Sequence, residues 1–295
     1  MAKKVFTLKT WAAGLIIAGT AIGAGMLALP IVTAQAGFVA SWFLYISCAI
    51  LAIFSGFYFV EISFWLENKA NLVTMARHYL GPIGAFISWV LYLFLFYSLT
   101  IAYLAGGSNI VGLFFNGGLD FWVISLIFTL VLGSIVYGGT KIVSPINACF
   151  MVLLITAYLL FIGSGITYAQ KINLAFNNWY IAGLALPVIF TSFSYQGTIP
   201  TLMSYLGRDK AKMRAAIIIG VLITLFVYIV WDLVIKTVIP IYGKHSLTEV
   251  KRLHLPVVAP LSYILKSQWI VTLGSFFAFS PLINLIGIMV GLEES

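Results

Sequence analysis

The chain has 295 residues, 62% of them hydrophobic and 8% charged, with a mean hydropathy of +1.09 and a formal charge of +8. A water-soluble domain carries roughly 25% charged residues because its surface faces water. This composition excludes a solvated globular surface and makes lipid the medium that most of the chain meets.

A membrane-spanning helix needs about 20 mainly apolar residues. In chain order such stretches fall at 11–35, 38–66, 82–106, 121–138, 145–169, 179–206, 213–239 and 269–292. They are too long and too evenly apolar for barrel strands, which alternate with a period of two. Backbone in lipid must also close its own hydrogen bonds. The stretches therefore predict an all-α integral membrane bundle of about eight spans, forming a single transmembrane domain over 1–295. Lys3-Lys4 before an apolar run also fits a signal peptide, but the run continues past a signal core and reads as a first span.

The excess of positive charge does not read as a nucleic-acid surface, because it sorts by side. Lys3, Lys4, Lys9, Lys69, Arg77, Lys141, Arg208, Lys210, Lys212 and Arg214 fall on one side of the alternating spans. Lys171, Lys236, Lys244, Lys251, Arg252 and Lys266 fall on or near the other, most of them in the long 240–268 segment. Loops rich in Lys and Arg stay in the cytoplasm, so the N-terminus is expected inside. Cys48 and Cys149 lie in apolar spans and read as small hydrophobes, with no disulfide, metal or cofactor expected.

The hydrophobic pattern breaks twice at mid-span. The first span carries Gly19-Thr20-Ala21-Ile22-Gly23-Ala24-Gly25-Met26-Leu27-Ala28-Leu29-Pro30, and the sixth carries Thr191-Ser192-Phe193-Ser194-Tyr195-Gln196-Gly197-Thr198-Ile199-Pro200. Gly and Pro both oppose helix, and unwound backbone at membrane depth survives only where it is buried or lines a cavity. Breaks five spans apart suit a five-plus-five inverted repeat, the sequence pointer to a transporter site. The first unit then runs over 11–169, and a second starting at 179 holds three of five spans by residue 295, so the second repeat, 179–295, reads as incomplete. Close helix packing is the competing explanation, since Gly19 and Gly23 stand four apart.

An unwound segment exposes amides at one half-helix end and carbonyls at the other, with opposite partial charges. An amino-acid zwitterion matches both. Amides near Ala24, Gly25 and Met26 are expected to take the carboxylate, with Gly23 and Gly25 letting the ligand approach the backbone free of a side chain, and carbonyls near Gly19, Thr20, Phe190 and Thr191 the ammonium. Phe193 and Tyr195 could stack on an aromatic substrate ring, and Gln196 could bond a phenol or indole. Aromatics are common throughout this chain, so chance proximity competes with that pocket.

Charges inside spans are functional candidates. Glu61, near the end of the second span, is the candidate for proton coupling. Asp232 and Lys236 stand one turn apart and read as a mutual structural pair. His78, His245 and His254 fall in polar segments. No phosphate-binding glycine loop, zinc-protease helix motif or potassium-filter motif is present, which argues against an ATP-driven pump, a membrane metalloprotease and a potassium channel.

At the first-span run Ala18–Pro30, at Pro187-Val188-Ile189-Phe190-Thr191-Ser192-Phe193, and at Gly197-Thr198-Ile199-Pro200 with Ser204-Tyr205, the chain resembles the hydroxy- and aromatic-amino-acid permeases, especially the bacterial tyrosine-specific transport proteins. The resemblance implies a leucine-transporter-type fold with helices 1 and 6 interrupted. It also implies proton-coupled uptake of an aromatic amino acid, tyrosine first, at the bacterial inner membrane. Gln196 stands where the tyrosine permeases are expected to carry His. A serine/threonine permease of the same fold, or a non-transporting remnant, are the alternatives.

Overall fold

A computed structural model describes residues 5–22, 24–66, 72–114, 118–137, scattered positions between 149 and 163, then 177–244, 246–253 and 260. The predicted eighth span and most of the fifth lie outside the described residues, as do Gly23, His245 and His254. Among the described residues there is no β-strand, and one isolated bridge joins Gly37 to Asn177.

The first predicted span is two helices, α1 (Leu8–Ala21) and α2 (Ala24–Val32). Thr7 and Thr10 start α1 with reciprocal side-chain-to-backbone bonds of 3.3 and 3.4 Å, which satisfy amides that a helix start leaves open. A 3-10 turn at Ala34–Ala36 leads to Gly37, whose φ of 84° favours glycine. α3 (Phe38–Phe64) returns across the bundle. α4 (Leu72–Phe114) is interrupted at Gly81, with φ 72°, just before Pro82. The helix thus begins ten residues before the predicted span at 82, and His78 belongs to its first segment rather than to a polar loop. The Gly-Pro pair is a stop signal that conceals the turns before it.

α5 (Phe121–Tyr137) precedes the second interrupted span. That span is α6 (Trp179–Ser192), a 3-10 turn at Gln196–Thr198, and α7 (Ile199–Tyr205) with Pro200 in its first turn, where a missing amide costs nothing. Asn178 caps α6 through Ile181 N at 3.1 Å. α8 (Lys210–Val238) starts on the Asp209 carboxylate, and α9 (Leu247–Leu253) folds back beside α2.

Described helices long and apolar enough to cross a membrane are α3, α4 through Asn109, and α8. Half of the most apolar window of α8 is buried, against a third for α3 and none for α4, so α8 is the central member. It packs along α1, α3 and α2. Glycines set the closest approach: a Cβ on Gly14 would lie 2.7 Å from Ile219, and one on Gly220 2.7 Å from the Gly14 carbonyl oxygen. On the outer faces, Val39, Phe43, Ile46, Ile50 and Phe54 of α3 form an exposed apolar stripe at helical spacing, as lipid contact requires. The chain is a multi-pass membrane protein.

At one end of the bundle Arg208 donates to the carbonyls of Ser63, Phe64 and Leu66, tying the end of α3 to the start of α8. Near the other end, Lys236 Nζ lies 2.9 Å from Asp232 Oδ2, and both side chains are fully buried. Asp232 Oδ1 accepts from Thr33 and Tyr45, each at 3.2 Å, and Lys236 donates to Ser41 at 3.0 Å. A buried pair persists when its remaining bonds are met, and loss of one partner strands a charge. Lys236→Met is expected to cost about 3–5 kcal/mol, with Asp232→Asn added to it recovering most of the loss. Thermal unfolding of the purified variants checks this; a double variant no more stable than the single contradicts the pairing.

Candidate functional site at the two helix breaks

In the first break, Ile22 is extended, with φ −73° and ψ 114°, and its amide turns back to Ala18 O at 2.8 Å. α1 thus ends at Ala21 and α2 begins at Ala24, a carbonyl end followed closely in the chain by an amide end. Gly19 is buried, while Thr20 is partly exposed and spends its hydroxyl on Ile16 O at 2.8 Å. Met26 is buried at the start of α2. Gly25 fits there because a Cβ would fall 2.7 Å from Ser192 Oγ and 3.1 Å from the Tyr228 hydroxyl. Its bareness thus serves the meeting of α2 with α6 and α8, where the sequence suggested only room for a ligand.

Ahead of the second break, Pro187 sits inside α6 with no amide to give to its ladder. The last turn closes with Phe193 N on Phe190 O at 3.2 Å and Ser194 N on Thr191 O at 3.1 Å. Those two carbonyls, expected to receive a substrate ammonium, are already engaged. The side chains of Phe190 and Thr191 point outward and are exposed. Phe193 is buried, its ring edge-on to Tyr228 at 5.2 Å.

Tyr195 is also sealed. Its hydroxyl donates to Ala52 O of α3 at 2.8 Å, in space left by Gly56. Its ring is structural packing against α3 rather than an open pocket wall. Gln196 Oε1 accepts from Tyr195 N at 3.0 Å, and its Nε2 donates to Ser55 at 3.4 Å. The Tyr92 hydroxyl stands 3.5 Å from where a Gly197 Cβ would be. Polar groups of α3 and α4 thus border this break.

The two breaks meet at one atom. The Tyr228 hydroxyl on α8 lies 2.6 Å from Ala21 O, the end of α1, and 2.7 Å from Ser192 O, the end of α6. Two negative helix ends and, through Gly25, one positive end converge within a few ångströms. Such a locus attracts a cationic donor and an anion side by side. The pattern of the chain did not single out Tyr228; the one available signal was its place in the buried four-residue series Tyr228, Asp232, Lys236.

Glu61 lies apart, at the basic end, bonded to Lys210 at 2.7 Å and Arg214 at 2.6 Å. A cavity of about 250 Å³ opens in the crook of α4, lined by Val73, Thr74, Arg77, Pro82, Ala85, Phe86 and Trp89. It shares no residue with either break, and its single charged wall residue offers nothing for both ends of a zwitterion.

Comparison with known proteins gives the family. The model of the tryptophan/tyrosine permease family matches residues 7–295. Tyrosine-specific transport system 1 of Haemophilus influenzae is 33% identical over 227 residues, covering 76% of this chain and 57% of that protein. Tyrosine-specific transport system 2 of the same organism is 34% identical over 232 residues, with the same coverage of 76% and 57%. A tryptophan-specific transport protein of Pseudomonas aeruginosa is 31% identical over 236 residues, 74% of this chain and 55% of its own length. The chain thus spans a little over half the length of these relatives. It belongs to the tryptophan/tyrosine permease family, a family of transporters and not of enzymes.

Proposed function

We propose that this chain carries the substrate site of a proton-coupled permease for aromatic amino acids, tyrosine first. It would sit in the bacterial inner membrane with its N-terminus in the cytoplasm. The observation that carries the reading is the convergence of Ala21 O and Ser192 O on one point beside the amide end of α2 at Gly25. An ammonium has three protons to offer those carbonyls, and the amide end of α2 suits the neighbouring carboxylate. A substrate ring directed toward Gln196, Ser55 and Tyr92 would find hydrogen-bonding partners for a phenol. The names of the relatives, tyrosine-specific and tryptophan-specific, support the aromatic class. The two breaks are read as equivalent positions of a five-plus-five inverted repeat of the leucine-transporter type.

Glu61 is the group assigned to the proton step. It is partly exposed at the end of α3 between two flexible cations, whereas Asp232 is fully sealed by its partners. Exchange of a proton for a cationic partner there would loosen one of the ties between α3 and the start of α8.

Uptake of labelled tyrosine in reconstituted vesicles tests the reading directly. Phenylalanine and tryptophan should compete and serine and threonine should not; competition by serine or threonine alone would reject the aromatic assignment. Gly25→Val is expected to weaken tyrosine binding by more than about tenfold with membrane insertion unchanged, and normal binding by that variant would speak against this site. Glu61→Gln is expected to shift the pH dependence of uptake, whereas a profile identical to the parent removes Glu61 from the proton step.

A further inference from the structure

One hydroxyl between two helix ends poses a problem of proton number. Tyr228 has a single proton, and both Ala21 O and Ser192 O lie within bonding distance of its oxygen, at 2.6 and 2.7 Å. A phenol donates fully to one acceptor at a time, so two buried carbonyls share a donor sufficient for one. Each is the terminal carbonyl of its half-helix, where partial negative charge accumulates. Among the described residues no other donor reaches either carbonyl, so shared donation leaves both under-satisfied in a medium without water to compensate.

The surroundings make this hydroxyl a junction and not an incidental contact. Tyr228 is itself fully buried on the central helix. Gly25 brings α2 beside the same oxygen, which stands 3.1 Å from where its Cβ would be, and Phe193, the first residue after α6, lies edge-on to the Tyr228 ring. Four helical segments, α1, α2, α6 and α8, are thus indexed on one side chain. One turn further along α8, Asp232 continues the series into the bonds with Thr33 and Tyr45, so Tyr228 cannot shift along its helix without disturbing a filled network.

We propose that Tyr228 is the positioning residue that clamps both breaks in the empty protein by standing where the substrate ammonium must go. The inference rests on the reading of the breaks as an amino-acid site. Substrate entry exchanges one shared proton for three, so both carbonyls are satisfied only in the filled state, and the two breaks respond together. The phenol therefore competes with the ligand: removing it weakens the empty, closed arrangement and favours the occupied one.

Three measurements test this on the intact chain. In Tyr228→Phe without ligand, amide hydrogen exchange at residues 22–26 and 193–198 should accelerate together, by about fivefold for one lost shared bond. By calorimetry the same variant should bind L-tyrosine about fivefold more tightly, and N-acetyl-L-tyrosine, which has no ammonium, with unchanged affinity. A purely structural role would loosen the fold and weaken binding of both. Should that variant not fold, 3-fluorotyrosine placed at position 228 keeps the hydroxyl. Its fluorine resonance should move saturably with L-tyrosine and stay fixed with the N-acetyl compound. Exchange that is unchanged or faster at one break alone, weaker L-tyrosine binding by the variant, or a static fluorine resonance during measured binding would each overturn the proposal. If the parent chain binds no aromatic amino acid, the functional reading falls, while concerted exchange at both breaks still supports the clamp.

Discussion

A backbone carbonyl at membrane depth needs a donor, and two broken helices here find theirs in the same phenol. Lipid supplies no hydrogen bonds, so each interruption of a spanning helix must be compensated by protein. Ala21 and Ser192 end their helices facing Tyr228, and that requirement fixes the relative placement of the two breaks. The opposite ends of the half-helix dipoles are brought close as a consequence. The two breaks are thereby closed on a side-chain hydroxyl, with no charged side chain at the point of contact.

The rest of the bundle holds that meeting point in place. Gly14 and Gly220 let α1 lie directly on α8, which brings the end of α1 within reach of a tyrosine two turns beyond Gly220. The pair Asp232–Lys236 anchors the following turns of α8 to Thr33, Ser41 and Tyr45, on the segments after α2 and at the start of α3. At the basic end, Arg208 and the bonds from Glu61 to Lys210 and Arg214 join α3 to the beginning of the same helix. α8 is therefore pinned on both sides of Tyr228, while α2 and α7 are short segments each attached through a break. Such an arrangement suits motion of the short segments about a fixed post.

Much of this was legible in the chain because its strongest signals are local. Clusters of Gly, Thr and Ser followed by Pro oppose helix, and both observed interruptions, after Ala21 and after Ser192, fall inside such clusters. The pairing of Asp232 with Lys236 could be read from their spacing of one turn. What local pattern could not supply was the identity of the facing partners. The carbonyls that meet at Tyr228 belong to Ala21 and Ser192, each one residue past Thr20 and Thr191, and the last turn of α6 closes on itself before that point. Tyr228 is one of 15 tyrosines, and its only mark in the sequence is that it stands one turn before Asp232 and two before Lys236. Tyr195 drew attention by standing in the break, and Gly56, far away in sequence, opens the space that receives its hydroxyl. Tertiary proximity decided each of these.

Location of a bound aromatic amino acid is the most direct test of the central claim that the two breaks form one site. Crystals grown with 3-iodotyrosine would mark the ligand by the anomalous signal of iodine. The account predicts a peak beside Gln196 and Ser55, with the ligand's ammonium between Ala21 O and Ser192 O. A peak in the crook of α4 near Arg77 and Trp89, with both breaks unchanged, would contradict it.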